Sequence, residues 1–220
     1  MRAIGSPVVI KPMDELIKLL RAKSVLKSVG ISRALERVDR KDFVPAAFIR
    51  QAYLDVPLPI GEAQTISQPY TVVYMLELLQ AKRGEHIVDV GYGSGWQTAL
   101  LAECVGNAGT VYAIELVPEQ CDFGKRNVEK YPHLVQRVLF YCQNAAPGLP
   151  EVAETIGGFD GIIAAAEVED VPQAWRSQLR TGGRLVYPRA ESVFRELKKG
   201  DGTFEVEEHP GFAFVPFVEE

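Results

Sequence analysis

Apolar residues recur at helical spacing from Met13 to Leu26, where Leu16, Ile17, Leu19, Leu20 and Leu26 mark one face. A second set follows at Ile31, Ala34, Leu35 and Val38, with Gly30 reading as a break and Ser32 as an N-cap. "QPYTVVYMLELLQAKRG" predicts a longer helix from about Pro69 to Gln80, with proline in its first turn and Gly84 as its stop. Before it lies "PIGEAQTISQP", Pro59 to Pro69, which follows neither a strand nor a helix period.

From His86 the period changes. "HIVDVG", "GTVYAIEL", "RVLFYCQN", "GFDGIIAAA" and "GGRLVYPRA" predict short apolar strands. "SGWQTALLAECV", "PEQCDFGKRNVEKY" and "VPQAWRSQLR" predict helices between them. Strands alternating with helices imply an α/β fold with a doubly wound, mostly parallel sheet. The tail breaks the alternation. "SVFRELKKGDGTFEVEEH" predicts two strands joined at Gly200-Asp201-Gly202, and "GFAFVPFV" a further short strand, so antiparallel strands are expected on one sheet edge. The expected organisation is a single domain over 1–220. It comprises an N-terminal helical and active-site segment (1–80), an α/β core (81–190) and C-terminal strands (191–220).

The chain has 220 residues, 47% hydrophobic and 24% charged, which is ordinary globular usage. A net charge of −5 argues against nucleic acid as a partner. No apolar run approaches the roughly 18 residues of a membrane span, and the first residues lack the h-region and cleavage site of a signal peptide. Cys104, Cys121 and Cys142 are odd in number, widely spaced and form no metal pattern with the three histidines. Buried, reduced cysteines, no metal, a cytoplasmic location and a monomer are expected.

"VDVGYGSGW" places Gly91, Gly93 and Gly95 between a strand and a helix, where doubly wound sheets bind ligands. A dinucleotide loop would need a third glycine at Trp96. The G-x-G-x-G spacing, with Asp89 two residues before it, suits a positively charged ligand better than a pyrophosphate. S-adenosylmethionine has an amino group, a sulfonium and no phosphate. Glu115, at the end of the second strand, is placed to accept ribose hydroxyls. Asn144, after the third strand, is either an adenine contact or an Asn in a turn. Ser94 does not sit in a G-x-S-x-G elbow, and no histidine lies at an obvious strand end beside a candidate nucleophile, which argues against a Ser-His-Asp enzyme.

Taken together, "PIGEAQTISQPYTVVYMLELL", "VDVGYGSGWQTALLA", "VYAIELVPE", "GLPE", "GFDGII", "GGRLVYP" and "FVPF" resemble the protein-L-isoaspartate O-methyltransferase family along nearly the whole chain. "ALERVDRKDFVPAAF" also resembles its V-P-R-x-x-F-V-P stretch. The resemblance implies a class I S-adenosylmethionine-dependent methyltransferase fold. It implies methyl transfer from S-adenosyl-L-methionine to the free α-carboxylate of an L-isoaspartyl residue in a damaged protein or peptide, which starts repair through a succinimide. It assigns Ser67 as the active-site serine and Thr65, Ile66 and Gln68 as neighbours of the cofactor. Gly91 becomes the first loop glycine, joined by Asp89 and Gly93, with Glu115 on the ribose and Asn144 on the adenine. Thr65, Ser67 and Val215 are expected to border the substrate. Two other readings share these residues: transfer to a different carboxylate, and a non-catalytic adaptor that binds cofactor or peptide. The hydroxyls of "TIS" also allow a plain helix-capping role.

Three positions depart from the family pattern. Ala63 replaces a glycine, which strains the loop if it needs φ > 0. Gln143-Asn144-Ala145 replaces G-D-G. "AAAEVED" replaces A-A-A-P-E and is expected to put Glu167, Glu169 and Asp170 near the site mouth.

Overall fold

A computed structural model describes residues 12–218. The expectation for the first residues, that no signal peptide is present, lies outside the described residues. Helices α1 (Pro12–Ala22) and α2 (Val29–Arg37) lead through two short 3₁₀ turns to a hairpin, β1 (Leu58–Gly61) and β2 (Gln64–Ile66). Helix α3 (Pro69–Leu79) follows. The alternating core is β3 (His86–Val90), α4 (Trp96–Val105), β4 (Thr110–Glu115), α5 (Pro118–Glu129), α6 (Pro132–Val135), β5 (Val138–Cys142), α7 (Pro150–Ile156), β6 (Phe159–Ala164) and α8 (Gln173–Gln178). The chain ends in β7 (Leu179–Arg189), β8 (Ser192–Lys198) and β9 (Phe204–Pro210).

The large sheet has strand order β5-β4-β3-β6-β7-β8-β9. Strands β3 to β7 pair in parallel, and β8 and β9 add antiparallel at one edge, as the sequence predicts. The two-residue period explains the layers. Ile87, Val111, Ala113, Ile163 and Val186 point to the face covered by α3 and α4. Val88, Val90, Tyr112, Ile114, Ile162 and Leu185 point to the face where Trp175 and Phe159 pack. With both faces covered, the strands can be apolar at every position. Strand order reverses between β3 and β6, so the loops after these two strands diverge and leave a crevice at their carboxyl ends.

Several local expectations change. Ser32 lies inside α2, and Ser28 takes the N-cap position without a side-chain cap bond. The Glu77 carboxylate accepts the Lys27 and Ser28 N–H groups just before the helix at 2.8 and 2.7 Å, and Gly30 is the second residue of α2, not a break. "GFAFVPFV" forms no strand. One parallel bridge joins Glu167 to Pro216, and the prolines at 210 and 216 remove donors that a ladder would need. Cys121 and Cys142 are not free thiols: they form a disulfide across a Cα separation of 5.8 Å. The β4–β5 register places Cys142 opposite Glu115, which brings it over the start of α5. Cys104 is unpaired, and burial pushes its thiol up to about 12. No helix among the described residues is long and apolar enough to cross a membrane.

Candidate active site

"PIGEAQTISQP" is an antiparallel hairpin, with Leu58 opposite Ile66 and Pro59 opposite Thr65. Its turn holds Gly61, Glu62 and Ala63 at φ of 98°, 51° and 55°. Positive φ at both central residues is what a tight hairpin turn requires, so Ala63 sits in the left-handed region that glycine enters freely. Gln120 of α5 donates to the Ile60 carbonyl at 3.1 Å and ties the hairpin to the core. Buried Ile66 anchors the second strand, while Thr65 stays exposed.

The two hydroxyls do not cap α3. The N-cap residue Gln68 makes no side-chain cap bond, and the Tyr70 N–H goes to Asp55 Oδ1 at 2.8 Å. Neither the Thr65 nor the Ser67 hydroxyl has a partner among the described residues, so both remain available to the cleft. The main chain at Ser67 is fixed by Arg40, a fully buried guanidinium. It donates to the carbonyls of Ala52, Val56 and Ser67 at 2.8, 3.1 and 3.1 Å and lies 5.3 Å from the Trp96 ring. Burial lowers its pKa to about 10, partly offset by Asp55, so it is a cation at neutral pH.

Behind the hairpin, Gly91 and Gly93 turn the chain out of β3. Glu115 Oε2 accepts the Gly93 N–H at 2.9 Å. Its Oε1 accepts the N–H groups of Leu116 and Val117 at 2.9 and 3.1 Å. Three of the roughly four acceptor positions of a carboxylate are thus filled. Oε2 keeps room for one hydroxyl, and a second would displace a main-chain donor. At Gly95 an added Cβ would stand 2.7 Å from the Gly124 carbonyl, so glycine here lets α4 and α5 approach closely.

These residues line one cleft of about 890 Å³, counted to its open mouth. Its walls include Thr65, Ile66, Ser67, Gly91, Gly93, Glu115 and Val215. Sequence reasoning missed Gln97, Gln143 and Phe217, which also line it. The position of Gln97, in the first turn after the glycine loop, was the available signal. A second groove opens from the cleft and shares Thr65, Ser67, Ala165 and Val215 with it.

Three predicted site residues sit elsewhere. Asp89 is fully buried behind the loop and accepts Gln97 Nε2 at 2.7 Å and Thr98 Oγ1 at 2.6 Å. It therefore orients Gln97, leaving that amide's Oε1 as an acceptor. Burial raises the Asp89 pKa to about 6 against the lowering effect of these two bonds, with Glu115 raising it further. Asn144 accepts the Ala146 N–H at 2.7 Å in a local turn, and its neighbours Gln143 and Ala145 line the cleft in its place. Gln68 faces the second groove. Glu167, Glu169 and Asp170 are not among the residues that line either cavity. Glu167 bonds the C-terminal segment through its main chain, and Asp170 is exposed near Arg189.

The donor set is selective. Glu115 is the one charged side chain among the described residues lining the cleft. A pyrophosphate would face a carboxylate with no cation to balance it. A ligand with hydroxyls and positive charge meets the acceptors it needs.

A family model described as protein-L-isoaspartate(D-aspartate) O-methyltransferase matches residues 11–220. The protein-L-isoaspartate O-methyltransferase of Pyrococcus horikoshii is 35% identical over 209 residues, covering 93% of this chain and 91% of that protein. That of Hyperthermus butylicus is 36% identical over 216 residues, covering 93% and 88%. A solved protein-L-isoaspartate O-methyltransferase superposes with a TM-score of 0.78 at 27% identity, covering 93% of this chain and 65% of that one. A Plasmodium falciparum structure, described as a protein-L-isoaspartate O-methyltransferase in complex with S-adenosyl-L-homocysteine, shares the fold with a TM-score of 0.82 at 22% identity, covering 94% and 98%.

Proposed function

Because the chain belongs to the protein-L-isoaspartate(D-aspartate) O-methyltransferase family, we propose that this cleft methylates the free α-carboxylate of L-isoaspartyl residues in damaged proteins or peptides. S-adenosylmethionine supplies the electrophilic methyl group. The observation that carries the reading is the junction. Two unpartnered hydroxyls, Thr65 and Ser67, stand where a one-carboxylate cleft meets an open groove.

The residues fit the reaction. Glu115 holds a ribose hydroxyl, and the Gly91 to Gly93 turn lets main-chain amides approach the ligand. Gln97, set by Asp89, offers a carbonyl to an amino group. The substrate carboxylate has an ordinary pKa of about 3.3–3.7 and is ionised at neutral pH. It needs no general base, and no His or Lys lines the cleft among the described residues. Ser67 and Thr65 orient it by hydroxyl bonds that leave its negative charge on oxygen. Lys or Arg in their place would hold the carboxylate and blunt its attack. Positioning of this kind is worth up to roughly 7–11 kcal/mol in well-aligned cases. Ser67 forms no covalent intermediate.

The groove fits the substrate main chain. Between Phe212 and the Val215 carbonyl, which accepts the Glu167 N–H at 2.8 Å, the chain makes no ladder bonds among the described residues. An extended peptide pairs with such a rim through its backbone, independent of sequence. The test is transfer of labelled methyl from S-adenosylmethionine to matched isoaspartyl and aspartyl peptides. Label is expected on the isoaspartyl peptide alone. Equal labelling of both, or cofactor binding without transfer, would overturn the reading.

A further inference from the structure

The groove has an aromatic wall that backbone pairing does not use. Tyr70 and Tyr74 lie four residues apart on the first turns of α3 and stack at 6.1 Å with a 19° angle between rings. Phe212, from the opposite side, packs on Tyr74 at 4.9 Å. The rings are held before any ligand arrives. The Tyr74 hydroxyl is 2.9 Å from His209 Nδ1, and the Tyr70 main chain is pinned to Asp55. All three line the groove, and each is only partly buried.

From this we propose that Tyr70, Tyr74 and Phe212 form a side-chain subsite for an aromatic or large aliphatic residue of the substrate, within about two positions of the methylated carboxylate. The inference rests on the reading of the cleft given above, because the occupant is the same peptide. Continuity identifies that occupant: the groove and the cofactor cleft share Thr65, Ser67, Ala165 and Val215. Length sets the position. Four helical residues cover about 6 Å, which an extended chain spans in about two residues. The wall starts three residues after Ser67, so it reads the near flank of the lesion. Lys23 lines the same wall, its ammonium 5.7 Å from the Tyr70 ring centroid, but Asp55 already holds that ammonium at 2.7 Å, so it leaves little charge to select an acidic flank.

The test uses the full chain and heptapeptides with one central L-isoaspartyl residue and alanine elsewhere. Phe, Leu or Glu replaces alanine singly at the two positions on each side. Phe at one of these positions is expected to lower KM about tenfold at similar kcat, since aromatic packing adds roughly a factor of this size. Leu should act in the same direction and Glu should not. Tyr74→Ala, and separately Phe212→Ala in case the first variant folds poorly, should remove the Phe-to-Ala ratio. Binding of the same peptides by calorimetry with S-adenosylhomocysteine present gives a second readout. Methylation with equal KM for Phe, Ala and Glu at every flank would overturn the subsite, as would a preference for Glu. Tighter Phe binding with no methylation would uphold the subsite and sink the reaction instead.

Discussion

The buried Arg40 guanidinium donates to the main-chain carbonyl of Ser67 at 3.1 Å. The residue proposed to orient the substrate is thus held in place by a cation that never meets it. Arg40→Met leaves the Ala52 carbonyl buried and unpaired, and takes the donor from the partly buried bonds to the Val56 and Ser67 carbonyls. At roughly 1–3 kcal/mol for each such group, a loss of about 3 kcal/mol or more is expected in denaturant unfolding. Arg40→Lys keeps the charge but not the fork, and should recover only part of both stability and turnover. Full turnover in Arg40→Met would show that the loop is positioned by other means.

Ser67→Ala removes one hydroxyl at the junction and leaves the fold intact. The expected result is a 10- to 100-fold drop in kcat, in line with the loss of a hydrogen bond made to charge. Binding of S-adenosylhomocysteine, measured by calorimetry, should stay within about twofold. Thr65→Val should add to the defect, since both hydroxyls are proposed to meet the same carboxylate.

Ala63 sits at φ 55°, where a side chain costs about 1–2 kcal/mol. Ala63→Gly relieves this and gives back about 0.5–1 kcal/mol to unfolded-chain entropy. A net gain of up to about 1 kcal/mol is expected, read as a higher urea midpoint with unchanged slope. An unchanged or lower midpoint would mean the turn is not strained.

The Cys121–Cys142 disulfide closes a loop with a sequence separation of 21. Loop-closure entropy for a ring of that size is worth about 3 kcal/mol. Cys142→Ser, or treatment with a dithiol, should lower stability by about that amount. Cys142 immediately precedes Gln143, whose N–H is bonded to the Glu115 carbonyl at 2.8 Å, so cofactor affinity should fall with it. Cys104→Ser is the control and should change neither.

Asp89 has its pKa raised to about 6 in the fold, first by burial. Its unfolded value is near 3.9. Between these values the folded state binds more protons than the unfolded state, so its share of stability is present below about pH 4. That share is lost as pH rises through about 6. Asp89→Asn should remove this slope. The stability difference between wild type and variant is expected to shift against the wild type by about 2–3 kcal/mol from pH 4 to pH 7. A difference independent of pH would show that Asp89 titrates normally.

The core of the sheet was legible because β3, β4 and β6 are apolar at nearly every position and each is followed by a helix period, whereas α7, after β5, left no such signal. Periodicity alone located β3 through β6 within a few residues. Glu115 and the glycine turn were legible for the same reason, since a strand end fixes where the next residues point. Asp89 was misplaced because a strand alternates faces. Its spacing to Gly91 marks the loop, but its side chain points away, under α4, to Gln97 and Thr98. Asn144 failed differently: a short polar side chain can close its own turn, and that contact is local and always within reach. The disulfide depends on register between β4 and β5, which spacing along the chain does not reveal. Capping of α3 by Asp55 was hidden for a similar reason, since its donor and acceptor are fifteen residues apart.

The far edge of the sheet is β9, which pairs only with β8. It carries Glu205, Glu207 and Glu208 and ends at Pro210. Clustered charge and a proline make an edge that a foreign strand does not extend. The chain then turns, and the rim just beyond it, at Ala213 and Phe214, makes no ladder bonds among the described residues. A protein proposed to act on damaged polypeptides has to admit an extended segment. It therefore needs one short seat that welcomes an extended segment and a neighbouring border that refuses it. Gly211 and Phe212 separate the two, so the proposed seat can take an extended chain while the β9 border beside it stays closed.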